Sequence, residues 1–208
     1  MNERPVTIAC GDITLEGMYA PGKSTGARAA VVCHPHPLYG GSMHNNVVEA
    51  ALEALWKLGF ATLRFNFRGV GRSGGDHTGG AGEVEDAKAA MAFMLAQPGV
   101  AGQGALMAGY SFGAAIAMRA GAEIAQVDTI AAIALPVGME SFDASACANK
   151  RIILVAGDSD PYCPSSEIAR LAQSIGARAK LTIIEGADHF FGGSEEDVTS
   201  ALVEMIGR

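Results

Sequence analysis

Short apolar runs recur along this chain, each followed by a stretch of helical periodicity, and that alternation leaves few folds open. Ala29–Cys33 is wholly apolar, and Ala105–Gly109, Thr129–Leu135 and Arg151–Ala156 are nearly so. Runs of this length that lack a polar face suit central strands buried on both sides. Phe60–Phe67 and Leu181–Ile184 read as further strands. The helical stretches lie between them. One begins at Asn45 or Asn46 as a cap, stripes Val48, Leu52, Leu55 and Leu58 along one face, and ends at Gly59. Others are Glu83–Gln97, stopped by Pro98-Gly99, then Phe112–Ala122, Ser165–Ser174 and Glu195–Ile206. Upstream, Val6–Cys10 and Ile13–Tyr19 flank a Gly11-Asp12 turn, and Ile13 and Leu15 alternate with Thr14 and Glu16, as in a half-buried hairpin. Strands alternating with helices require crossover connections, hence a mostly parallel sheet covered on both faces. The expected architecture is one α/β domain over residues 1–208, opened by an antiparallel hairpin.

Composition fits such a core. Hydrophobic residues are 49% and charged residues 18% of the 208, which excludes a disordered chain. Glycine supplies 27 residues, about 13% against a usual ~7%, as tight turns and close helix–strand contacts demand. A net charge of −7 argues against a nucleic-acid partner. No apolar run approaches the roughly 20 residues of a membrane span, and Met1–Pro5 does not resemble a secretory signal. Cys10, Cys33, Cys147 and Cys163 have neither zinc nor disulfide spacing. The expectation is buried thiols in a cytoplasmic protein.

Gly109-Tyr110-Ser111-Phe112-Gly113 matches G-x-S-x-G between an apolar strand and a small-residue helix. That context is what a nucleophile elbow requires. The turn is so sharp that the residues two before and two after the serine must be nearly free of side chain. A serine hydroxyl is a poor nucleophile and needs a base, itself oriented by an acid. In this arrangement the chain order is Ser, acid, His. His189 is the sole histidine after Ser111 and follows the last strand, where parallel sheets place their sites. The acid should follow the preceding strand, where Gly157-Asp158-Ser159-Asp160-Pro161 offers two aspartates. Asp158 is placed to cap the turn and Asp160 to reach toward His189, while Asp188 adjoins the histidine and should point elsewhere. An oxyanion hole needs two backbone N–H groups. Phe112 should give one. The other should come from the loop after Cys33, where Pro35 and Pro37 have no N–H and His36, Leu38 and Tyr39 remain.

These residues together resemble the α/β-hydrolase superfamily, and within it the small, uncapped bacterial hydrolases related to dienelactone-hydrolase-like esterases. The resemblance runs from Ile13 to Ile206. It is carried by Cys33–Gly41, Arg64–Ser73, Gly109–Gly113, Gly157–Asp160 and Ala187–His189. It implies that Asp160, with Pro164 downstream, is the acid, and that the second oxyanion donor is the backbone of His36. Dienelactone hydrolases proper use cysteine where this chain has Ser111, so their substrate is not implied.

Other signals carry less. Gly69–Gly74 matches G-x-G-x-x-G, but no helix opens there at once and residues 89–94 hold no acid, so a dinucleotide is not expected. Arg68 and Arg72 read as loop anchors. His34-x-His36 lacks a third ligand for zinc, so no metal is expected. His44 and His77 read as exposed or capping residues. Only residues 136–150 separate Leu135 from Arg151, too few for a helical cap. An open, shallow acyl pocket is therefore expected, walled by Leu38, Tyr39, Met139 and Phe190. The resulting expectation is a cofactor-free serine carboxylesterase for small-molecule esters with short acyl chains, catalysed by Ser111, His189 and Asp160. Thioesterase, amidase and acyltransferase chemistry would use the same triad. A non-catalytic binding protein on the same fold is the alternative from another class. Oligomeric state is left open.

Overall fold

The computed structural model describes residues 1–139 and 142–207. Eight strands form one sheet: β1 (Arg4–Cys10), β2 (Ile13–Ala20), β3 (Ala29–Cys33), β4 (Ala61–Phe65), β5 (Ala105–Tyr110), β6 (Val127–Ile133), β7 (Arg151–Gly157) and β8 (Ala179–Ile184). Their spatial order is β1-β2-β4-β3-β5-β6-β7-β8. The β1–β2 and β2–β4 pairs are antiparallel and the remaining pairs parallel. Among the described residues, five α-helices cover the sheet: α1 (Asn46–Lys57), α2 (Ala81–Leu95), α3 (Phe112–Glu123), α4 (Ser165–Ile175) and α5 (Glu195–Gly207).

Two buried clusters sandwich the sheet. One joins Val31, Leu63, Met107 and Leu154 to α2, α3 and α4. The other joins Val32, Leu106, Ala108 and Val155 to α1 and α5. Successive strand residues point to opposite faces, so strands such as β3, β4 and β5, buried at every position, feed both clusters at once. No described helix is long and apolar enough to cross a membrane. All four cysteines are buried and free.

The structure moves several boundaries. Phe60–Phe67 shortens to Ala61–Phe65 because Asn66 and Phe67 already belong to the loop, where the Phe67 N–H donates to the His34 ring. The sixth strand starts at Val127 and ends at Ile133, since Ala134 takes a left-handed φ of 46°. Helix α2 starts at Ala81, two residues early, because Glu83 reaches back to the Gly80 N–H and caps it from within. Asn45, rather than Asn46, caps α1 through the Val47 and Val48 N–H groups. Strand β8 begins at Ala179, where it pairs with Ile152.

Chain direction across the sheet reverses at β3. The next strand, β4, lies on one side of it and β5 on the other. Crevices open beyond the C-terminal ends of strands at such a switch point. Cys33 pairs with Gly109 at the ends of β3 and β5, so the loop after β3 and the turn after β5 share one crevice.

Candidate active site

Ser111 sits at the β5–α3 turn with φ 55° and ψ −121°. A non-glycine residue held there stores about 1–3 kcal/mol of strain, which the surrounding packing must offset. A Cβ on Gly109 would collide with the Gly113 carbonyl, and one on Gly113 with the carbonyls of Cys33 and His34. The two glycines let strand, helix and β3 loop close on the serine. The Ser111 N–H donates to the Ile133 carbonyl at 2.9 Å, which anchors the turn to β6.

His189 lies in the loop after β8, 8% exposed. Its Nε2 is 2.9 Å from Ser111 Oγ and its Nδ1 is 2.7 Å from Asp160 Oδ2. The other Asp160 oxygen accepts the N–H groups of Tyr162 and Cys163 at 2.8 and 3.0 Å. The carboxylate is thereby fixed by two main-chain bonds while its free edge meets the imidazole. Asp158 points elsewhere: its Oδ1 accepts from the Gly186 N–H at 2.9 Å and from Ser159 Oγ. Asp188 accepts the Phe190 N–H. The chain can therefore pass a proton from Ser111 Oγ to His189 Nε2 while Asp160 holds the opposite nitrogen.

The loop after β3 folds into a short 3₁₀ turn, Pro37–Tyr39. Leu38 N–H donates to His36 Nδ1 at 3.2 Å and Tyr39 N–H to the His36 carbonyl at 3.1 Å. Of the three N–H groups that the prolines leave, those two are occupied, and the His36 N–H has no acceptor among the described residues. Phe112, the first residue of α3, likewise presents its N–H without an intrahelical partner. The rings of His36 and Phe112, the residue directly after Ser111, lie 4.8 Å apart, so the loop after β3 packs against the start of α3.

His34 is fully buried. Its Nε2 accepts the Phe67 N–H at 3.0 Å and its Nδ1 is 2.6 Å from the Pro35 carbonyl, to which it donates. Both ring nitrogens are thus occupied, Nε2 tying the β3 loop to the β4 loop and Nδ1 bonding within the β3 loop, and burial pushes the His34 pKa down to about 4. His77 departs from its expected exposure. Its side chain is largely buried, with Nδ1 2.9 Å from the fully buried carboxylate of Glu83, and its ring packs against His36 and Phe112. The isolated sequence position carried no sign of this, because Glu83 and His77 meet only once α2 is capped. Arg68 and Arg72 are anchors, paired with Asp86 and Glu16. Cys163, the thiol nearest the site in sequence, is pushed up to about 12 by burial and supplies no competing nucleophile at neutral pH.

Leu38, Tyr39, Met139 and Phe190 are 70, 87, 73 and 64% exposed. They come from the loops after β3, β6 and β8, so large apolar side chains stand around the crevice without being covered. Tyr110 is the unrestricted position before the serine in G-x-S-x-G, so the motif carries no sign of its role. Its hydroxyl donates to the His189 carbonyl at 2.8 Å.

Residues 16–160 match the family described as X-Pro dipeptidyl-peptidase (S15 family). The chain belongs to this family of α/β hydrolases. Its relatives extend across the rest of the sequence. The protein RP471 of Rickettsia prowazekii (strain Madrid E) is 38% identical over 200 residues, covering 92% of this chain and 84% of that one. The α/β serine hydrolase homologue of Coxiella burnetii is 34% identical, with a TM-score of 0.86 over 99% of this chain and 98% of its own. XC6422 of Xanthomonas campestris, an α/β serine hydrolase without lid, is 29% identical with a TM-score of 0.86 over 100% of this chain and 95% of its own. This S15-family chain is a hydrolase of the lidless α/β serine type. Where a cap would be inserted, between β6 and β7, the described residues contain one 3₁₀ turn, Ala144–Cys147.

Proposed function

We propose that the protein is a serine carboxylesterase acting on small, uncharged esters with short acyl groups. The observation that carries this reading is the unbroken line from Ser111 Oγ through His189 to Asp160, with spacings of 2.9 and 2.7 Å. Ser111 Oγ attacks the acyl carbonyl while His189 Nε2 takes its proton. Asp160 keeps the imidazole in the required tautomer and stabilises the imidazolium. The N–H groups of His36 and Phe112 receive the developing oxyanion. His189 then returns the proton to the departing alcohol, leaving an acyl-serine. Water, deprotonated by the same nitrogen, hydrolyses it. Every step uses residues of this chain and needs no cofactor.

The exposed apolar rim supports esters over large or strongly charged substrates, and its openness supports short acyl groups. Hydrolysis of X-Pro peptide amides is a second reading, favoured by the family match, and uses the same three residues. A fluorophosphonate probe should label the wild type at Ser111 and leave Ser111→Ala unlabelled. A panel of p-nitrophenyl esters, acyl thioesters and X-Pro-p-nitroanilides then separates the substrate classes. An unlabelled wild type would overturn the nucleophile assignment. Faster turnover of the anilides than of the esters would overturn the ester preference.

A further inference from the structure

Tyr110 immediately precedes Ser111 and ends β5. Strand periodicity sends its side chain to the same face as Leu106 and Ala108, into the buried cluster shared with Ile133, Val155 and Phe191. The residue is 3% exposed. From there the phenol crosses to the loop after β8 and donates to the main-chain carbonyl of His189 at 2.8 Å. Its ring centroid lies 5.5 Å from that of His189 and 6.3 Å from that of Phe191. The last residue of β5 and the residue after it therefore reach the same histidine, Tyr110 at the backbone and Ser111 at the imidazole.

Among the described residues, no other hydrogen bond of this loop reaches the His189 main chain. Gly186 N–H donates to Asp158, Ser159 N–H to the Ala187 carbonyl, and Phe190 N–H to Asp188. Asn46 donates to the Phe190 carbonyl at 3.2 Å. Directly after the histidine the chain turns sharply, with Phe191 fully buried at a left-handed φ of 52°. A turn of that kind holds its shape only where its surroundings over-determine it. Burial, reinforced by the nearby charge of Asp160, pushes the Tyr110 phenol up from its ordinary value, so it remains a donor throughout the neutral range.

On the reading of Ser111 and His189 given above, we propose that Tyr110 is a positioning residue. Its hydroxyl fixes the backbone of His189, and through it both the Nε2–Oγ separation and the Nδ1 bond to Asp160. A bond to the base's own carbonyl is a stiffer restraint than ring packing, which leaves the loop free to slide along the aromatic faces. Its removal displaces the base without altering any group that touches substrate, so the loss falls on the chemical step.

Tyr110→Phe keeps the ring and removes only the donor. Since a displacement near 1 Å can cost about 10²-fold in rate, kcat should fall by about 10- to 100-fold while KM stays within about threefold. The downfield proton resonance of His189 Nδ1–H should shift or broaden. Thr199→Val is the control, because it deletes a buried hydroxyl-to-carbonyl bond of the same kind, Thr199 Oγ1 to the Ala50 carbonyl at 3.0 Å, between α5 and α1. It should lower Tm similarly and leave kcat and the resonance unchanged. Tyr110→Met is a second donor-free variant whose flexible chain fills the same space, should the Phe variant not accumulate as folded protein. If Tyr110→Phe lost only stability, as Thr199→Val does, the positioning role would be overturned and the triad reading would stand. If the wild type were neither labelled by fluorophosphonate nor active, the triad reading would fail. The resonance would still decide whether Tyr110 positions His189.

Discussion

Asp158 and Asp160, two residues apart, grip the same loop at different points. Asp158 accepts the Gly186 N–H at 2.9 Å, where the loop leaves β8, and Asp160 meets His189 Nδ1 at 2.7 Å. The first bond is exposed and shapes a turn, whereas the second is buried and faces the reacting side chains. Asp160→Asn should therefore lower kcat by about 10³–10⁴ through the wrong imidazole tautomer. Asp158→Asn should cost less than about tenfold, with a loss of stability near 1 kcal/mol, the usual net worth of one such bond. Steady-state kinetics and urea midpoints on both variants check this, and the reverse ranking would move the acid to Asp158.

The backbone of His36 can be tested separately from its side chain. Its φ of −56° is one that proline adopts, so His36→Pro deletes the N–H with little change of path. His36→Ala deletes the imidazole and keeps the N–H. Relative to the alanine variant, the proline variant should lose about 10²–10³ in kcat, the usual effect of removing one oxyanion donor. Equal kcat values would place the donor elsewhere in the loop.

Stability should fall between neutral pH and about pH 4 because of His34. Burial holds its folded pKa at about 4, below the ~6.5 of an unfolded histidine. Between these values the unfolded chain binds the proton and the folded chain does not. The contribution is thus fully present above pH ~6.5 and is lost as pH falls toward the folded value. Its ceiling is about 3 kcal/mol from the size of the gap. His34→Gln can still accept the Phe67 N–H but does not titrate. Urea midpoints at pH 7 and pH 4.5 should fall markedly less for this variant than for wild type. Parallel declines would show that His34 is not the group responsible.

Chain-length preference follows from the exposed rim. Each buried CH₂ contributes about 0.8 kcal/mol only while a wall remains to cover it. With Leu38, Tyr39, Met139 and Phe190 mostly exposed, kcat/KM across p-nitrophenyl esters should peak around C2 to C6 and decline beyond. A maximum at palmitate under matched detergent would reveal an apolar groove formed by something other than this chain's described residues.

Local pattern in the sequence determined the alternation of strands and helices, the elbow at Ser111 and the slot occupied by His189. Each rests on neighbours within a few positions: apolar runs set the strands, paired glycines allow the turn, and order along the chain leaves one histidine. Tertiary structure decided what depends on register between distant segments. Asp158 and Asp160 have the same chemistry and nearly the same position, and only the pairing of β7 with β8 shows which one faces a histidine 29 residues away. Prolines narrowed the loop N–H groups to three. The fold of the 3₁₀ turn then occupied two of them. Tyr110 occupies a position that the elbow motif leaves unrestricted, and its bond to a carbonyl 79 residues on exists because β5 and the loop after β8 converge above one buried cluster. Side-chain periodicity is a local property of the backbone and can be read from sequence. A hydrogen bond across the crevice requires two loops to arrive within about 3 Å, and only the packed sheet brings them there.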